Sequence, residues 1–340
     1  MPKNSTGAGG SKSLIHFFSA CSRKTITVLG VSISMALASA LLNAPDAGAQ
    51  SLPSEQQTIL FQGMERTFQV YSPPTVDRTK PSPLVFLFHG GGGSGSQAEF
   101  TYKMDECARS KKFIVVYPDG LHKQWNDGRP TANPRIDDVG FVQAIIDTLK
   151  TQMKIDERFI FSSGMSNGAM FSHHLGLHLS QSIKAIGTVA GEITVGDENV
   201  KPTKPVSVLS IHGTDDELVP INGGFVVSPK GGRVTSQNDT FKKWQSYNGG
   251  ASGSAKISVI PPTKYSLQGT TFVPIQTPAT VTTVKTKSGS TCTRVTVQNA
   301  GHTWAGHVTP GLTGKDGITA INFDATEMIS QFFMDIVNGK

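Results

Sequence analysis

The sequence predicts an α/β protein, a mostly parallel sheet with helices on both faces, in one domain over residues 50–340. Short runs rich in β-branched and other apolar residues recur along the chain, and segments with helical spacing separate them. Strands apolar on both faces and alternating with helices belong to a parallel sheet that is covered on both sides. A hydrophobic content of 37 % supports a real core and excludes a disordered or collagen-like chain. The chain is loop-rich and lightly charged, with 36 glycines in 340 residues and 16 % charged residues.

Residues 1–49 read as a processing segment. A basic stretch ends at Arg23-Lys24, an apolar run follows from Ile26 to Leu42, and Ala47-Gly48-Ala49 precedes Gln50. That order of basic, apolar and small residues suits cleavage of an export signal, which would make the protein secreted or periplasmic, with no membrane contact after cleavage. The alternative is an uncleaved anchor, since the run nears the length of a short spanning helix. Cleavage would remove Cys21 and leave Cys107 and Cys292. These either pair in an oxidising compartment or remain two buried thiols.

In order, a hairpin is expected from Gln57–Gln62 and Thr67–Ser72 around Gly63. The apolar runs Leu84–Phe88, Phe113–Tyr117, Phe159–Ser162, Ile183–Val189, Val206–Ile211 and Arg294–Gln298 read as strands. Glu99–Ser110, Val139–Lys150, Ala169–Leu179, Asp239–Tyr247 and Ala325–Val337 read as helices. Residues 248–280 are dense in Gly, Ser, Thr and Pro and read as an irregular insertion or long loop. Half of the net charge of +6 lies in the first 49 residues, with Lys3, Lys12, Arg23 and Lys24 against Asp46. The remainder is too mildly basic for a nucleic-acid partner, and no basic cluster is interleaved with aromatics. Three cysteines exclude a disulfide-framework mini-domain.

The chemistry concentrates at predicted strand ends. Gly164-Met165-Ser166-Asn167-Gly168 follows one strand and opens a helix. In such a turn the serine sits at strained backbone angles with its hydroxyl raised, and a Cβ at either glycine would collide across the turn. A serine needs a base to act as a nucleophile, and His302, just past Arg294–Gln298, is the candidate. The small residues before it leave room for its ring. The base needs an orienting carboxylate, and Asp215 and Asp216 both follow the strand Val206–Ile211. His89-Gly90-Gly91-Gly92-Gly93 follows another strand, so Gly90 or Gly91 together with Asn167 would supply backbone N–H groups to an oxyanion. No Lys-Ser/Thr follows these glycines, which argues against a phosphate loop.

His122, His173, His174, His178, His212 and His307 read as ordinary polar surface or core residues. His174 and His178 have a metal-compatible i,i+4 spacing, but the sequence shows no third ligand, and no metal site is expected. Trp125 and Trp304 are candidates for lining a pocket, with core packing as the alternative, and His89 is a candidate substrate contact.

Taken in order, further motifs join these. They are Trp125-Asn126-Asp127-Gly128-Arg129, Asp137-Asp138-Val139-Gly140-Phe141, His212-Gly213-Thr214-Asp215-Asp216 with Val219-Pro220, and Gly301-His302-Thr303-Trp304. Over roughly residues 60–335 the chain resembles the secreted serine esterases grouped as polyhydroxybutyrate depolymerase-like and feruloyl-esterase-like proteins, of the α/β-hydrolase fold. The resemblance implies Ser166 as nucleophile and His302 as base, and it selects Asp216 over Asp215. It departs from the family at Asp215, where Ala is common, and at Ile221, where Tyr is. It departs also at Gly250, where a disulfide Cys is usual, and at Ala305, where Pro is.

The leading expectation is therefore an exported carboxylic-ester hydrolase that needs no metal or organic cofactor. Its partner would be an ester substrate, either a feruloyl or acetyl ester of plant polysaccharide or a polyhydroxybutyrate-type ester. The alternatives are a non-catalytic binding module on the same fold, which would carry a damaged triad or a filled oxyanion loop, and an exported serine peptidase.

Overall fold

A computed structural model of the chain describes residues 54–308 and 316–340. The 1–49 segment read as an export signal lies outside the described residues. The predicted hairpin forms as β1 (Glu55–Phe61) and β2 (Met64–Tyr71), paired from Glu55↔Val70 to Phe61↔Met64. Gln62 and Gly63 both take positive φ, 49° and 77°, the turn geometry that matches the right-handed twist of paired strands.

The predicted central strands form as β3 (Ser82–Phe88), β4 (Ile114–Pro118), β5 (Ile155–Met165), β6 (Ile183–Val189) and β7 (Ser207–Gly213). Two-residue strands β8 (Gly224–Phe225) and β9 (Arg233–Val234) pair with each other. Then come β10 (Lys256–Ile260), β11 (Ser266–Gln268), β12 (Thr271–Val273), β13 (Ala279–Lys285), β14 (Thr291–Val297) and β15 (Ile318–Thr319). The large sheet has the order β1-β2-β4-β3-β5-β6-β7-β14-β13-β10. From β4 through β14 neighbouring strands run parallel, and the pairs at both ends are antiparallel.

Helices α1 (Gly95–Tyr102), α2 (Met104–Lys111) and α6 (Ala325–Val337) pack on one face, while α3 (Asp138–Gln152), α4 (Asn167–His178) and α5 (Gln237–Tyr247) pack on the other. The alternation along β3 shows why both faces are apolar. Val85 and Leu87 join the first core with Phe161 and Phe333, whereas Leu84, Phe86 and Phe88 join the second with Ile145 and Phe171. Each side chain of this size contributes about 1.5–3 kcal/mol on full burial. The 13-residue α6 begins where predicted, at Ala325, because Asp324 caps it by accepting from the N–H groups of Thr326 and Glu327.

Two expectations need correction. Glu99–Ser110 is not one helix, because Lys103 takes a left-handed φ of 50° and separates α1 from α2. Tyr102 and Met104 are both buried. Two residues apart on a continuous helix they would point about 200° away from each other, and the break turns both inward. Residues 248–280 are not simply irregular, since β10 and the start of β13 extend the large sheet and β11 and β12 build a small one with β15. Apart from Ile260, β10 is exposed along its length, so the alternation of Lys256-Ile257-Ser258-Val259 marks no buried face and spans only four residues of a stretch dense in Gly, Ser, Thr and Pro.

Cys107 and Cys292 are free, buried thiols that belong to the cores on opposite faces of the sheet. Burial pushes the Cys107 thiol up to about 11 and the Cys292 thiol up to about 12. Among the described residues, no helix is long and apolar enough to cross a membrane.

A close backbone approach in this frame yields a stability prediction. A Cβ on Gly168 would overlap the Phe88 carbonyl oxygen, while one on Gly253 meets nothing within 4 Å among the described residues. Gly168→Ala should lower the unfolding free energy by about 1–3 kcal/mol, and Gly253→Ala should leave it nearly unchanged. Urea denaturation of both variants checks this.

Candidate active site

The Gly164–Gly168 turn joins β5 to α4. Ser166 stands between them at φ 57° and ψ −121°, a strained conformation for a residue with a side chain. A Cβ on Gly164 would lie 2.6 Å from the Gly168 carbonyl carbon, and one on Gly191 would lie 2.6 Å from the Ser166 oxygen. Both glycines are required for the backbone to pass itself at this distance. The Ser166 N–H is tied to the Val189 carbonyl at 3.0 Å, which holds the turn against β6.

Asn167 is the first residue of α4, so its N–H has no intrahelical acceptor. Its side chain is fully engaged. Oδ1 accepts from Trp125 N at 2.8 Å, and Nδ2 donates to Trp125 O at 3.1 Å and Asp127 Oδ2 at 2.7 Å. Asp127 is in turn paired with buried Arg129 at 2.7 Å. The Trp125–Arg129 motif thus clamps the residue after Ser166. The adjoining Asp138 accepts from Asn126 N and from Arg66, both at 2.7 Å, and Arg66 lies 3.8 Å over the Phe141 ring.

The glycine loop faces this turn. Gly90 approaches Ser166 so closely that a Cβ on it would sit 3.6 Å from the serine Cβ. Gly92 N–H donates to Lys123 O and Gly93 N–H to Gly90 O, whereas the N–H groups of Gly90 and Gly91 have no acceptor among the described residues. His89 anchors the loop. Its Nδ1 donates to Gly90 O at 2.7 Å and its Nε2 accepts from Gly120 N at 3.0 Å. Both ring nitrogens are therefore committed to the protein. Burial lowers the pKa of this ring, in keeping with a neutral tautomer.

His302 Nδ1 lies 2.8 Å from Asp216 Oδ2. Asp216 Oδ1 accepts from the N–H groups of Leu218 and Val219 at 2.9 and 2.8 Å. Burial works to raise the Asp216 pKa, but the charges and hydrogen bonds of His302 and His212 outweigh it and hold the carboxyl well below its usual range. Asp215, by contrast, takes a hydrogen bond from the adjacent Thr214 hydroxyl. Gly301 serves a different end from the one expected. The space it leaves is filled by the Asp316 carbonyl, which also accepts from His302 N at 2.7 Å.

His212 is no ordinary core residue. Its Nδ1 faces Glu192 Oε1 at 2.9 Å, and its Nε2 faces Val219 O at 2.8 Å and Asp216 Oδ2 at 3.2 Å. Only acceptors surround both nitrogens, so the ring is doubly protonated. Burial would lower its pKa, but the hydrogen bonds and charges of Asp216 and Glu192 prevail and raise it to about 10. Sequence reading missed this pair because Glu192 stands on no motif.

Ser166, Asn167, Gly90, Gly91, His89 and His302 border one cavity of about 570 Å³. Tyr102, Met170, Leu218, Val219 and Val226 line its apolar side, and Gln97 and Gln124 add amide groups. The two tryptophans do not reach it. Trp125 is buried between Phe88 and Phe171 and donates from Nε1 to His89 O at 3.0 Å. Trp304 is buried against Tyr102, ring centroids 4.1 Å apart, and donates to Thr326 Oγ1. Both reinforce cavity residues from behind. Away from the cavity, the carboxylate missing from the i,i+4 histidine pair is present, since Asp197 contacts both His174 and His178.

The family described as Phospholipase/Carboxylesterase matches residues 74–248, just over half of the chain. Feruloyl esterase B of Piromyces equi is 29 % identical over 179 residues, which cover 50 % of this chain and 33 % of that protein. Feruloyl esterase C of Emericella nidulans is 27 % identical over 194 residues, covering 54 % and 68 %. The chain thus spans well under two thirds of the first relative's own length. The solved acetyl xylan esterase from Aspergillus awamori shares the fold, with a TM-score of 0.51 at 14 % identity over 76 % of this chain and 96 % of that one. The architecture is that of a feruloyl-esterase-like α/β-hydrolase.

The His212 contacts carry a pH prediction. A folded-state pKa raised above the unfolded value gives stability that is complete below about pH 6.5 and is lost as pH rises toward 10. The melting temperature of the wild type should therefore fall more steeply between pH 7 and 10 than that of His212→Gln. Parallel slopes would mean that His212 is neutral in the fold.

Proposed function

Because the chain belongs to the phospholipase/carboxylesterase family, we propose that it is an exported carboxylic-ester hydrolase working through an acyl-enzyme on Ser166. The observation that carries this reading is the hydrogen bond between His302 Nδ1 and Asp216, made by a histidine that shares a cavity with Ser166. It leaves Nε2 as the nitrogen available to a proton from the serine.

In this reading Ser166 Oγ attacks the acyl carbon while His302 Nε2 takes its proton, and Asp216 holds the tautomer and balances the imidazolium. The carbonyl oxygen becomes an oxyanion that accepts from the N–H groups of Asn167 and of Gly90 or Gly91. One such donor contributes about 3 kcal/mol to the transition state in known cases. The imidazolium then protonates the leaving alcohol. Water, deprotonated by His302, attacks the acyl-enzyme, and the acid departs as Ser166 regains its proton. Uncommitted N–H groups at Gly90 and Gly91 favour this over a binding module, in which such a loop would be filled.

The relatives and the cavity support a choice of substrate class. Feruloyl and acetyl esters of plant polysaccharide fit the names of the relatives, and the apolar side of the cavity suits an aromatic or short acyl group. Polyhydroxybutyrate-type esters are the competing class.

Ser166→Ala and His302→Ala should each abolish hydrolysis of p-nitrophenyl acetate. Asp216→Asn should lower kcat by about 10⁴-fold, and Asp215→Asn should be mild. If Asp215→Asn is the more damaging, the acid has been misassigned. Serine-dependent turnover of methyl ferulate above that of p-nitrophenyl butyrate and a 3-hydroxybutyrate oligomer would place the substrate in the plant-wall class. Preference for the oligomer would reverse that assignment.

A further inference from the structure

We propose that His174, His178 and Asp197 bind one divalent transition-metal ion of the zinc class, at a site separate from the ester-cleaving cavity. His174 and His178 stand one turn apart on α4, so their rings project from the same face, with centroids 4.2 Å apart. The single helical turn Val195–Asp197 brings a carboxylate beneath them. Asp197 Oδ2 lies 2.5 Å from His174 Nδ1, and Oδ1 lies 3.0 Å from His178 Nε2. One donor atom from each residue falls within 4.8 Å of the others.

Two imidazoles and one carboxylate suit zinc rather than calcium or magnesium, which prefer all-oxygen shells. Tetrahedral zinc with bonds of about 2.0–2.1 Å spaces its ligand atoms about 3.3 Å apart. That spacing lies within the range seen here, so small side-chain rotations would admit the ion. The side chain of His174 is 11 % exposed and that of His178 36 %, which leaves an outer side for a water ligand.

The surroundings fix Asp197 in place. Gly128 carries no Cβ where one would lie 2.5 Å from Asp197 Oδ2. Thr194 Oγ1 donates to Asp127 O at 3.0 Å, joining the turn that carries Asp197 to the segment that holds Asn167. None of the three ligands borders the cavity, and His174 lies about 12 Å of helix rise beyond Ser166. The ion would therefore fasten α4 to the turn Val195–Asp197 and stabilise the folded chain by mass action.

The test is equilibrium dialysis of the full chain against micromolar zinc with metal analysis, joined to thermal melting and to the visible absorption of the cobalt-substituted protein. The expected results are about one equivalent of metal, d–d bands from cobalt, and a melting temperature raised by about 5 °C at saturation. His178→Gln changes a half-exposed residue and should fold. It should weaken metal binding at least about tenfold and abolish the melting shift, and Asp197→Asn should do the same. His307→Gln alters another His–Asp pair, 2.9 Å apart in the wild type, and should behave as wild type. Substoichiometric metal in the wild type would overturn the proposal. So would undiminished binding by His178→Gln, or an equal loss in His307→Gln.

Discussion

The close passage of backbone past backbone around Ser166 is the constraint on which the rest of the site depends. Gly164, Gly168 and Gly191 each occupy a position where a Cβ would meet main-chain atoms of a neighbouring segment. Their absence of side chains lets β3, β5, β6 and α4 converge at one point, with Ser166 held at φ 57°. A residue in such a conformation costs on the order of 1–3 kcal/mol and persists only where its surroundings over-determine it. Here the surroundings are a sheet buried on both faces and the Asn167 clamp. The strain and the parallel sheet are thus one arrangement, since only the packed sheet supplies enough contacts to hold the serine in this conformation.

A second constraint is electrical. Asp216 and Glu192 are both buried, and His212 lies between them with each ring nitrogen facing an acceptor. Asp216 Oδ2 is shared between His212 and His302, at 3.2 and 2.8 Å. Burying charge is costly unless partners and hydrogen bonds compensate it. The Leu218 and Val219 N–H groups do so for Asp216, and Ser210 and His212 do so for Glu192 Oε1. Among the described residues Glu192 Oε2 has no hydrogen-bond partner, with His173 Nε2 3.9 Å away. His173 accepts from Trp244 Nε1 through Nδ1 and is kept neutral by burial, which lowers its pKa to about 4. Neighbouring buried histidines therefore carry different charges because different partners face them.

What could be read from the sequence was what local rules govern. Apolar runs gave the parallel strands, helical spacing gave α6 its start, and glycine spacing marked the turn at Ser166. The placement of Ser166 and His302 on one cavity follows from strand ends alone. What could not be read depended on contacts distant in sequence. Glu192 meets His212 across 20 residues and Asp197 meets His178 across 19, and neither acid stands in a recognisable pattern. Trp125 and Trp304 had the composition of pocket residues, yet packing turned them into supports. The exposed edge strand β10 shows the opposite failure, since a four-residue alternation that buries neither face is lost among the surrounding Gly, Ser, Thr and Pro.

The segment after β7 links the acid to the cavity wall. Asp216 accepts from the N–H groups of Leu218 and Val219, and those same two residues line the cavity. The carbonyl of Val219 also takes a hydrogen bond from His212. A displacement of this wall by a bulky acyl group would therefore pull on both hydrogen bonds that hold the Asp216 carboxylate, and on the cation behind it. The cavity's fit to an acyl group and the orientation of His302 are in this way not independent. A wall carried on a separate loop would let one change without the other, whereas here a substitution at Leu218 or Val219 alters the shape of the cavity and the setting of the carboxylate together.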